Sequence, residues 1–552
     1  MGDRPLFNVI CTTLLIEKSP QALPLGAACI ASAIKNDLLT KDLCSVYLDV
    51  YTLEDYELNR IDFSIEKKAQ IIVDKILLRK PEIVAFSVFV WNREILEIVG
   101  TDLQKKGVVT IAGGPEITAS PKMCSGFDFL VCGEGERSVP KLINSILNKT
   151  IKIHSGESTI ISPDVCEDLS ISPYLDGTLN PSDYGGVLWE LARGCPFKCS
   201  YCYESKGSKN VRLFPMDRIE KELDLFKKLN IPQVFVLDPT YNANKKRAME
   251  LLSLISKKTP STFYYFEVRA EFIDRDLAKA FTRIPCALQI GLQSANVEVL
   301  KLVNRNLNKQ LFTRNIGYLN EFGVVFGLDL IYGLPGETFE SFKNGIDYAI
   351  SLYPNNLEIF RLSVLPGTDL FDKAQDLKLT YQQTPPYNII KTNLFSEDDL
   401  KKASELADSC SIFYNQGRSV PWFNSLCRSL HLKPSLFFKK FSEYLNEHKL
   451  SRKELCKKLH REIEVIQIDF VKSLLLRNNR TDLETLIVDL IKFNGALSRT
   501  QDTGKEEIVK LNYDSEYLAS QYATDLNYFV KNIKRHNCTI KTFKRNGYSD
   551  WR

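Results

Sequence analysis

This chain of 552 residues is poor in histidine and has no marked excess of either charge. Its five histidines begin at His154, and His431, His448 and His460 fall in helical patterns at no metal-ligand spacing. We therefore expect packing or surface roles for these three side chains. Lysine and arginine number 72, and aspartate and glutamate number 68, with the two signs interleaved. That balance does not call for a nucleic-acid partner, and none is expected.

Long apolar segments are also missing. No run approaches the roughly 18 uninterrupted apolar residues of a membrane-spanning helix. The first residues lack the basic, apolar and small-residue regions of a secretory signal. We therefore expect a cytoplasmic protein with no membrane partner. In a reducing compartment, the 14 cysteines favour thiols and metal ligands over disulfides, and most stand singly in apolar runs.

The pattern of the chain changes along its length. Residues 1–150 alternate apolar strand-like runs, such as Ile83–Val90, with amphipathic segments, which predicts a doubly wound, Rossmann-like α/β sheet. Residues 151–185, rich in serine, proline, aspartate and glycine, indicate a linker. Residues 186–375 hold six strand–helix units, which predict a partial (β/α)6 barrel with functional loops at the strand ends. Residues 376–552 have little glycine and predict a helical C-terminal domain.

Three cysteines are closely spaced just after a predicted strand. Cys195, Cys199 and Cys202 form a CxxxCxxC pattern. A zinc ion would require a fourth ligand, and the nearest histidine, His154, lies far upstream. Three thiolates on a [4Fe–4S] cluster leave one of its four irons open to another ligand. The loop therefore predicts such a cluster.

The cysteine loop, with Tyr201 before its last cysteine, resembles that of the radical S-adenosylmethionine (SAM) superfamily. The resemblance implies that the open iron binds the amino and carboxylate groups of SAM. It also implies that an electron, supplied by a donor such as flavodoxin or ferredoxin, cleaves SAM to give a 5′-deoxyadenosyl radical. Motifs at the later strand ends follow the order of that superfamily. The resemblance assigns SAM binding to Tyr201, Asp238, Thr240, Arg269, Glu271, Gln293, Ser294, Ile331 and Gly333.

The first 150 residues are similar to the cobalamin-binding domain that precedes the barrel in one large class of radical SAM enzymes. Glycines at strand ends let the backbone approach a flat ring or a nucleotide tail, and ligands of doubly wound sheets sit at that edge. The resemblance assigns cobalamin binding to Leu25, Gly26, Ser87, Val88, Trp91, Asn92, Gly113, Gly114, Pro115, Glu116, Gly133, Glu134 and Gly135.

The chain departs from some cobalamin domains in one respect. It has no Asp-x-His-x-x-Gly loop, which supplies a histidine to the lower face of cobalt in those domains. The lower face would then be left to water, to another side chain or to nothing. The alternative is a domain that has lost cobalamin and serves as a scaffold.

The resemblance implies an enzyme that methylates an unactivated carbon of a small molecule or peptide and consumes two SAM molecules per turnover. The enzymatic alternative is a radical rearrangement or cyclisation, or cleavage of a different SAM bond, with cobalamin as an electron relay or absent. The non-enzymatic alternative is a corrinoid or iron–sulfur sensor, which would not cleave SAM. An RNA-modifying role is disfavoured, because residues 1–150 carry no second cluster-binding cysteine set. The helical tail is expected to shape the substrate pocket.

Overall fold

A computed structural model describes residues 6–154, 156–204, 210–545 and 547–552. The chain folds into two compact units, each assembled from several segments. The first unit comprises Met1–Leu288, Ser363–Asp376 and Tyr381–Asn388. The second comprises Gln289–Leu362, Leu377–Thr380 and Ile389–Arg552. The described helices include none that is long and apolar enough to cross a membrane.

The first unit begins with a six-stranded parallel sheet. Its strands are β1 (Phe7–Leu15), β2 (Cys44–Thr52), β3 (Ile83–Ser87), β4 (Val109–Gly113), β5 (Phe129–Val131) and β6 (Thr159–Ile161), in the order β2-β1-β3-β4-β5-β6. The helices between them are α1 (Leu25–Asn36), α2 (Ile65–Leu77), α3 (Arg93–Lys105), α4 (Pro115–Ala119) and α5 (Gly135–Leu147). A short 3-10 helix spans Pro121–Met123.

Separate apolar cores cover the two faces of this sheet. Side chains of α2 and α3 pack on one face, and side chains of α1 and α5 pack on the other. Every residue of β3 is buried, as expected for a central parallel strand. The predicted doubly wound sheet is thereby confirmed. Two details differ, because β3 ends at Ser87 rather than Val90, and Thr159–Ile161, which lie in the predicted linker, add a sixth strand.

Residues 187–361 form a second six-stranded sheet. Its strands are β7 (Val187–Trp189), β10 (Gln233–Val236), β11 (Phe263–Val268), β12 (Cys286–Gln293), β13 (Val325–Tyr332) and β14 (Asn356–Arg361), which neighbour one another in chain order. Two short strands between the first two, β8 (Ala192–Arg193) and β9 (Arg212–Leu213), pair with each other antiparallel. The strand order and the parallel pairs β7–β10, β10–β11 and β13–β14 confirm the predicted partial barrel.

Helices follow the strands of this sheet. They are α6 (Met216–Lys228), α7 (Lys245–Lys258), α8 (Arg275–Phe281), α9 (Val297–Leu302), α10 (Lys309–Phe322), α11 (Phe339–Ser351) and α12 (Asp369–Asp372). Three 3-10 helices span Pro181–Tyr184, Tyr241–Ala243 and Ala270–Phe272. Asn244, Asp274 and Thr338 cap α7, α8 and α11 with their side chains, so each helix starts directly after a strand-end loop.

Alternate residues of β13 face opposite sides. Leu330 lies against Gly345 of α11, and the Tyr332 ring packs on Phe342 of the same helix with centroids 5.6 Å apart. Asp329 and Ile331 therefore point to the face away from the helix, because successive side chains of a strand alternate. We call that face the inner face.

The C-terminal region is mostly helical, as predicted, but also contains strands. It holds β15 (Thr380–Tyr381), β16 (Ile389–Lys391), α13 (Glu397–Cys410), α14 (Val420–Ser429), α15 (Pro434–Glu447), α16 (Arg452–Leu455), α17 (His460–Arg477), α18 (Glu484–Thr503), β17 (Glu507–Leu511), α19 (Ser515–Ala519), α20 (Leu526–Asn532), β18 (Cys538–Arg545) and β19 (Tyr548–Trp551). A π-helix spans Ser411–Gln416, and 3-10 helices span Thr481–Leu483 and Gln521–Thr524.

The strands β17, β18 and β19 form an antiparallel sheet that the sequence analysis did not predict. Along β17 and β18, buried residues alternate with more exposed ones, as expected for strands that have one side towards solvent. The helical core centres on Phe413 of the π-helix, whose ring packs against Phe437 and Phe441 with centroids 4.9 and 5.0 Å apart.

Candidate functional site

The cysteine loop lies between β8 and β9 in the first unit. Gly194, with φ +88°, turns the chain out of β8 into the loop, and the three cysteines Cys195, Cys199 and Cys202 are all partly buried. The Cys202 amide donates to the Cys199 carbonyl at 3.1 Å. The Cys195 thiol lies 3.9 Å from Thr240 Oγ1, at the end of β10. The loop is thus anchored at the carboxyl end of the sheet.

The three thiols are close enough to influence one another electrostatically. Burial raises the pKa of Cys202 to about 11; a backbone hydrogen bond from Glu204 lowers it, and the charges of Glu204, Cys199 and Cys195 raise it further. A positively charged group at the loop would lower this pKa and favour the thiolate. Among the residues described, no three His, Cys, Asp or Glu side chains converge on a single ion. A cubane cluster binds each thiolate at a different iron, so the donor set fits a cluster rather than one ion.

The ends of β10 and β11 are tied together behind this loop. Asn242 donates to the Arg269 carbonyl at 2.8 Å, and the Arg269 amide donates to Asn242 Oδ1 at 2.9 Å. The guanidinium of Arg269 pairs with Glu271 at 2.9 Å and lies 3.8 Å from the centroid of the Phe197 ring in the cysteine loop. Asn242 was not predicted from the sequence as a site residue.

Asp238 completes this group of predicted residues in the first unit. Its Oδ1 accepts from the Thr240 amide at 3.2 Å. Burial raises the pKa of Asp238, while the Thr240 amide and the charge of Arg247 lower it. The structure therefore brings Asp238, Thr240, Arg269 and Glu271 to the strand ends that surround the cysteine loop.

The predicted residues of the second unit lie at the ends of β12 and β13. Gln293 has φ +68°, and its buried Oε1 has no hydrogen-bond donor among the residues described. Ser294 donates to Glu337 Oε1 at 3.2 Å. Burial raises the pKa of Glu337 to about 8, against the lowering effect of Ser294 and the backbone of Gly333 and Leu334.

Ile331 and Gly333 have different surroundings. Ile331 is on the inner face of β13. Gly333 has φ +86°, and a Cβ at this position would lie 2.8 Å from Ile389 and 3.1 Å from Leu400. Close packing against β16 and α13 therefore explains why residue 333 is glycine, and no bound ligand is needed to explain it.

Sequence reasoning did not single out the side chains on the inner faces of the strands. In the first unit, Phe235 of β10 stacks on Tyr265 of β11, with centroids 4.1 Å apart and ring planes 3° from parallel. In the second unit, Gln289 of β12 hydrogen-bonds to Asp329 of β13. Strict alternation along each strand was the signal that could have identified them.

The carboxyl edge of the first sheet collects most of the predicted cobalamin residues. A Cβ on Gly26, next to Leu25 at the start of α1, would lie 3.5 Å from Ser87 Oγ at the end of β3. Gly114 has φ +105°, and a Cβ there would lie 2.7 Å from the Val88 carbonyl oxygen. The Val88 amide donates to the Gly113 carbonyl at 2.8 Å. These backbone segments therefore meet at one edge, as predicted from parallel strand ends.

Asn92 and Trp91 have separate roles at this edge. Asn92 is buried, and its Nδ2 donates to Thr13 Oγ1 and to the Leu14 carbonyl, both at 3.1 Å, which ties β1 to the end of β3. Trp91 is 45% exposed, and its ring stacks on Phe89 with centroids 4.6 Å apart. Of the two, Trp91 therefore offers a free aromatic face, and Asn92 holds the strand ends in place.

Glu116 is enclosed rather than open. Next to Pro115 at the start of α4, it accepts from Tyr387 Oη at 2.8 Å and from Arg93 Nη1 at 3.3 Å. Arg93 Nη1 also donates to Tyr387 Oη at 3.0 Å. Neither Arg93 nor Tyr387 was predicted from the sequence, because they lie far from Glu116 along the chain.

The loop after β5 also forms internal contacts. Gly133 has φ +75°, and a Cβ there would lie 3.0 Å from Pro163, while a Cβ on Gly135 would lie 2.6 Å from Ile30. Glu134 accepts from the Cys166 amide at 2.8 Å and forms an ion pair with Arg212 of β9. This loop is therefore linked to the strand that follows the cysteines.

Two parts of the chain match known families. Residues 189–349 match the Radical SAM superfamily. Residues 375–544 match a family described as "Protein of unknown function (DUF4080)".

Several relatives are similar over about half of the chain. "Cobalamin-dependent radical SAM methyltransferase TokK" of Streptomyces tokunonensis is 24% identical over 53% of this chain and 48% of its own length. "Uncharacterized methyltransferase PH0819" of Pyrococcus horikoshii is 24% identical over 54% of this chain and 71% of its own length. A 2-(S-pantetheinyl)-carbapenam-3-carboxylate methyltransferase of Streptantibioticus cattleyicolor is 24% identical over 52% of this chain and 48% of its own length. The chain spans about half the length of TokK and of the carbapenam enzyme.

Solved structures extend the similarity to the fold of most of the chain. The cobalamin-dependent radical SAM enzyme OxsB, with aqua-cobalamin and S-adenosylmethionine bound, is 13% identical with a TM-score of 0.56, covering 87% of this chain and 81% of that one. The methyltransferase TsrM of Kitasatospora setae, with cobalamin and a [4Fe-4S] cluster bound, is 13% identical with a TM-score of 0.51, covering 71% and 79%. Residues 189–349 therefore form a radical SAM domain, and the fold of the chain is similar to that of cobalamin-dependent radical SAM enzymes.

Proposed function

We propose that this chain is a cobalamin-dependent radical SAM enzyme that methylates an unactivated carbon of a small molecule or peptide. The observation that carries this proposal is the cysteine loop, with its three mutually interacting thiols, beside Thr240 in a radical SAM domain. The reaction class is supported by relatives that are themselves named as methyltransferases.

Cys195, Cys199 and Cys202 would hold a [4Fe–4S] cluster. The three partly buried thiols would supply the anionic ligands, because a positively charged cluster core favours their deprotonated form. When bound, the cluster supplies the electron that cleaves SAM, and cobalamin carries the methyl group. We propose that flavodoxin or ferredoxin donates that electron.

The strand ends of each unit would orient SAM. In the first unit, Arg269 offers a cation for the methionine carboxylate, and Glu271 offers an acceptor for the amine or the ribose hydroxyls. Asn242 fixes the backbone that carries Arg269, and Phe197 covers its guanidinium and keeps water away. In the second unit, the buried Oε1 of Gln293 requires a donor, which a bound molecule can supply.

The carboxyl edge of the first sheet would hold cobalamin. Gly26, Ser87 and Gly113 meet there, and Trp91 exposes an aromatic ring stacked on Phe89. Asn92 and Glu116 act as supports, because their polar atoms are engaged by strand ends and by Tyr387 and Arg93. No histidine occurs before His154, so residues of the first sheet would not supply an imidazole to a bound corrinoid.

An anaerobic absorbance spectrum tests the proposal. The chain is reconstituted with iron, sulfide and hydroxocobalamin and then desalted. We expect the broad iron–sulfur shoulder and the corrinoid bands to be retained together. Retention of the cluster alone would contradict the cobalamin-dependent methyltransferase and leave a scaffold role for the first sheet.

A further inference from the structure

A cavity of about 490 Å³ lies in the second unit, where the C-terminal parts of α11 and α14 meet the start of α15. Small-molecule sites in proteins have volumes of roughly 300–1,000 Å³. The chain leaves α11 at Ser351, on the wall of the cavity, and enters β14 at Asn356. Gly333, in contrast, follows the carboxyl end of β13, the parallel neighbour of β14. The cavity therefore lies at the opposite edge of the sheet from this predicted SAM residue, and the proposed function does not use it.

Hydrogen bonds between the three helices hold the walls of this cavity in place. Asn424 of α14 donates to the Ile350 carbonyl of α11 at 2.9 Å. Asp347 of α11 accepts from the Ser435 amide, in the first turn of α15, at 2.8 Å. The cavity is therefore a fixed feature of the fold, and its polar groups are positioned before any ligand binds.

Two cations line the cavity without a carboxylate partner. Arg428 and Lys433 form no ion pair within the part of the chain that the structure describes. The Arg428 guanidinium donates to Tyr353 Oη at 2.8 Å. It also donates to the Thr524 carbonyl and to Ser425 Oγ, at 3.1 and 3.3 Å, so its orientation is fixed. Because arginine has five N–H groups, it retains donors for a further acceptor. The cavity therefore offers positive charge and hydrogen-bond donors to an anion.

A carboxylate oxygen on the same wall lacks a donor. Asp347 Oδ1 is engaged by Ser435, but Asp347 Oδ2 is buried and receives no hydrogen bond from any residue described. A buried acceptor without a donor is costly, and a bound molecule can supply the donor. Burial raises the pKa of Asp347, while Ser435 and the charge of Lys433 lower it, so this carboxyl lies within electrostatic range of a cation of the cavity. A ligand held by the cations can therefore also reach Asp347.

The charged groups indicate the net charge of the ligand. Arg428 and Lys433 bring two positive charges, and Asp347 brings one negative charge. An imidazole is mostly neutral at pH 7.5, so His431, on the same wall, does not change this balance. A ligand with a single negative charge, such as a carboxylate, compensates the difference. A phosphate dianion would bring a second negative charge towards Asp347, and an ammonium donor would be repelled by both cations. A neutral hydroxyl is therefore the donor that fits.

We propose that this cavity binds a small hydroxy carboxylate, whose carboxylate pairs with Arg428 and Lys433 and whose hydroxyl donates to Asp347 Oδ2. The carboxylate would form charge-assisted hydrogen bonds with both cations. The chemistry of α/β barrels takes place at the other edge of the sheet, so the molecule bound here is an effector rather than the substrate. The inference goes beyond the proposed function and depends on neither cluster nor corrinoid.

A titration with small probes tests the inference. Binding of lactate, propionate and 1,2-propanediol to the full chain is measured at pH 7.5 by saturation-transfer NMR, and inorganic phosphate is added as a competitor of lactate. No iron is added, so a carboxylate cannot bind to a cluster. We expect lactate to bind about tenfold more tightly than the diol and about threefold more tightly than propionate, since it alone combines the charge with the donor.

Variants separate the two contacts. Lys433→Gln should weaken lactate binding about threefold, because one charge-assisted hydrogen bond is lost. Asp347→Ala should bring lactate and propionate to equal affinity, because it removes the acceptor for the hydroxyl. Lys439→Gln, which changes an exposed lysine of α15 that pairs with Glu443, is the matched control and should bind as the wild type does. Circular dichroism of each variant shows that it is folded, and the exposed position of Lys433 keeps the test valid if Asp347→Ala loses structure.

Four outcomes would overturn the inference. They are the absence of saturable lactate binding, equal binding of lactate and the diol, tighter binding of phosphate than of lactate, and a lactate affinity that Lys433→Gln leaves unchanged. Because these samples contain neither cluster nor corrinoid, each outcome is independent of the absorbance test of the proposed function.

Discussion

The Cys195 thiol and the Thr240 hydroxyl, 3.9 Å apart, join the cysteine loop to the end of the second strand of the barrel. They lie in different loops and belong to one compact unit. The contact places the first cysteine of the loop at the carboxyl edge of the sheet, which is where ligands of α/β barrels bind. From this position the loop can present an iron to a molecule held by the neighbouring strand ends.

Replacing the loop cysteines one at a time should abolish cluster binding. We expect Cys195→Ala, Cys199→Ala and Cys202→Ala each to retain less than about a tenth of the wild-type iron and sulfide after reconstitution, because a cluster needs all three anchors. Iron and acid-labile sulfide assays provide the measurement. Cys456→Ala, at an exposed position of the C-terminal region, serves as the control and should keep its cluster. Full iron content in any one of the loop variants would show that the ligands lie elsewhere.

Gly114 should be the most sensitive glycine at the edge of the first sheet. Gly114→Ala forces a Cβ to within 2.7 Å of the Val88 carbonyl at a φ of +105°, so both strain and a clash oppose it. We expect a loss of about 2–4 kcal/mol in the free energy of unfolding, measured by urea denaturation. Gly107→Ala, at φ +80° with no atom within 4 Å, isolates the conformational cost and should lose about 1 kcal/mol. Equal losses in the two variants would show that the close approach to Val88 is unimportant.

Glu337 should make stability depend on pH. Because burial raises its pKa to about 8, the carboxyl stays protonated in the folded chain while the unfolded chain ionises above about 4.3. The stability that it contributes is complete below about pH 4 and is lost as the pH rises towards 8, by up to about 1.4 kcal/mol per pH unit.

We therefore expect Glu337→Gln to become progressively more stable, relative to wild type, between pH 5 and 8. Urea midpoints at pH 5, 6.5 and 8 provide the measurement. Glu340→Gln, on the exposed surface of α11, should follow the wild-type profile. A difference between Glu337→Gln and wild type that is constant with pH would mean that this carboxyl is ionised in the fold.

Local sequence signals were sufficient to predict the two parallel sheets. The three cysteines of the CxxxCxxC pattern lie within eight consecutive residues, so the pattern can be recognised in the sequence alone. Apolar runs such as Ile83–Ser87 indicate strands that are buried on both faces. Short elements were not predicted. Thr159–Ile161 has three residues and no periodicity, and it becomes a strand because β5 offers a free edge.

Contacts between distant residues could not be predicted from one sequence. Glu116 was assigned to cobalamin from a glycine-rich turn, but Tyr387, far away in the chain, engages its carboxylate. Likewise, Gln289, Asp329 and Glu358 lie on three strands and become neighbours only through the register of the sheet. Periodicity in one sequence indicates the face of a strand on which a residue lies, but not which residue of another strand lies opposite it.

The most direct test of the central claim is electron paramagnetic resonance of the reduced, reconstituted chain with and without SAM. If three cysteines leave one iron open, SAM binds that iron and shifts the g-values of the reduced cluster. We expect such a shift in the wild type. An identical spectrum with and without saturating SAM, in a sample with full iron content, would contradict a radical SAM site in this chain.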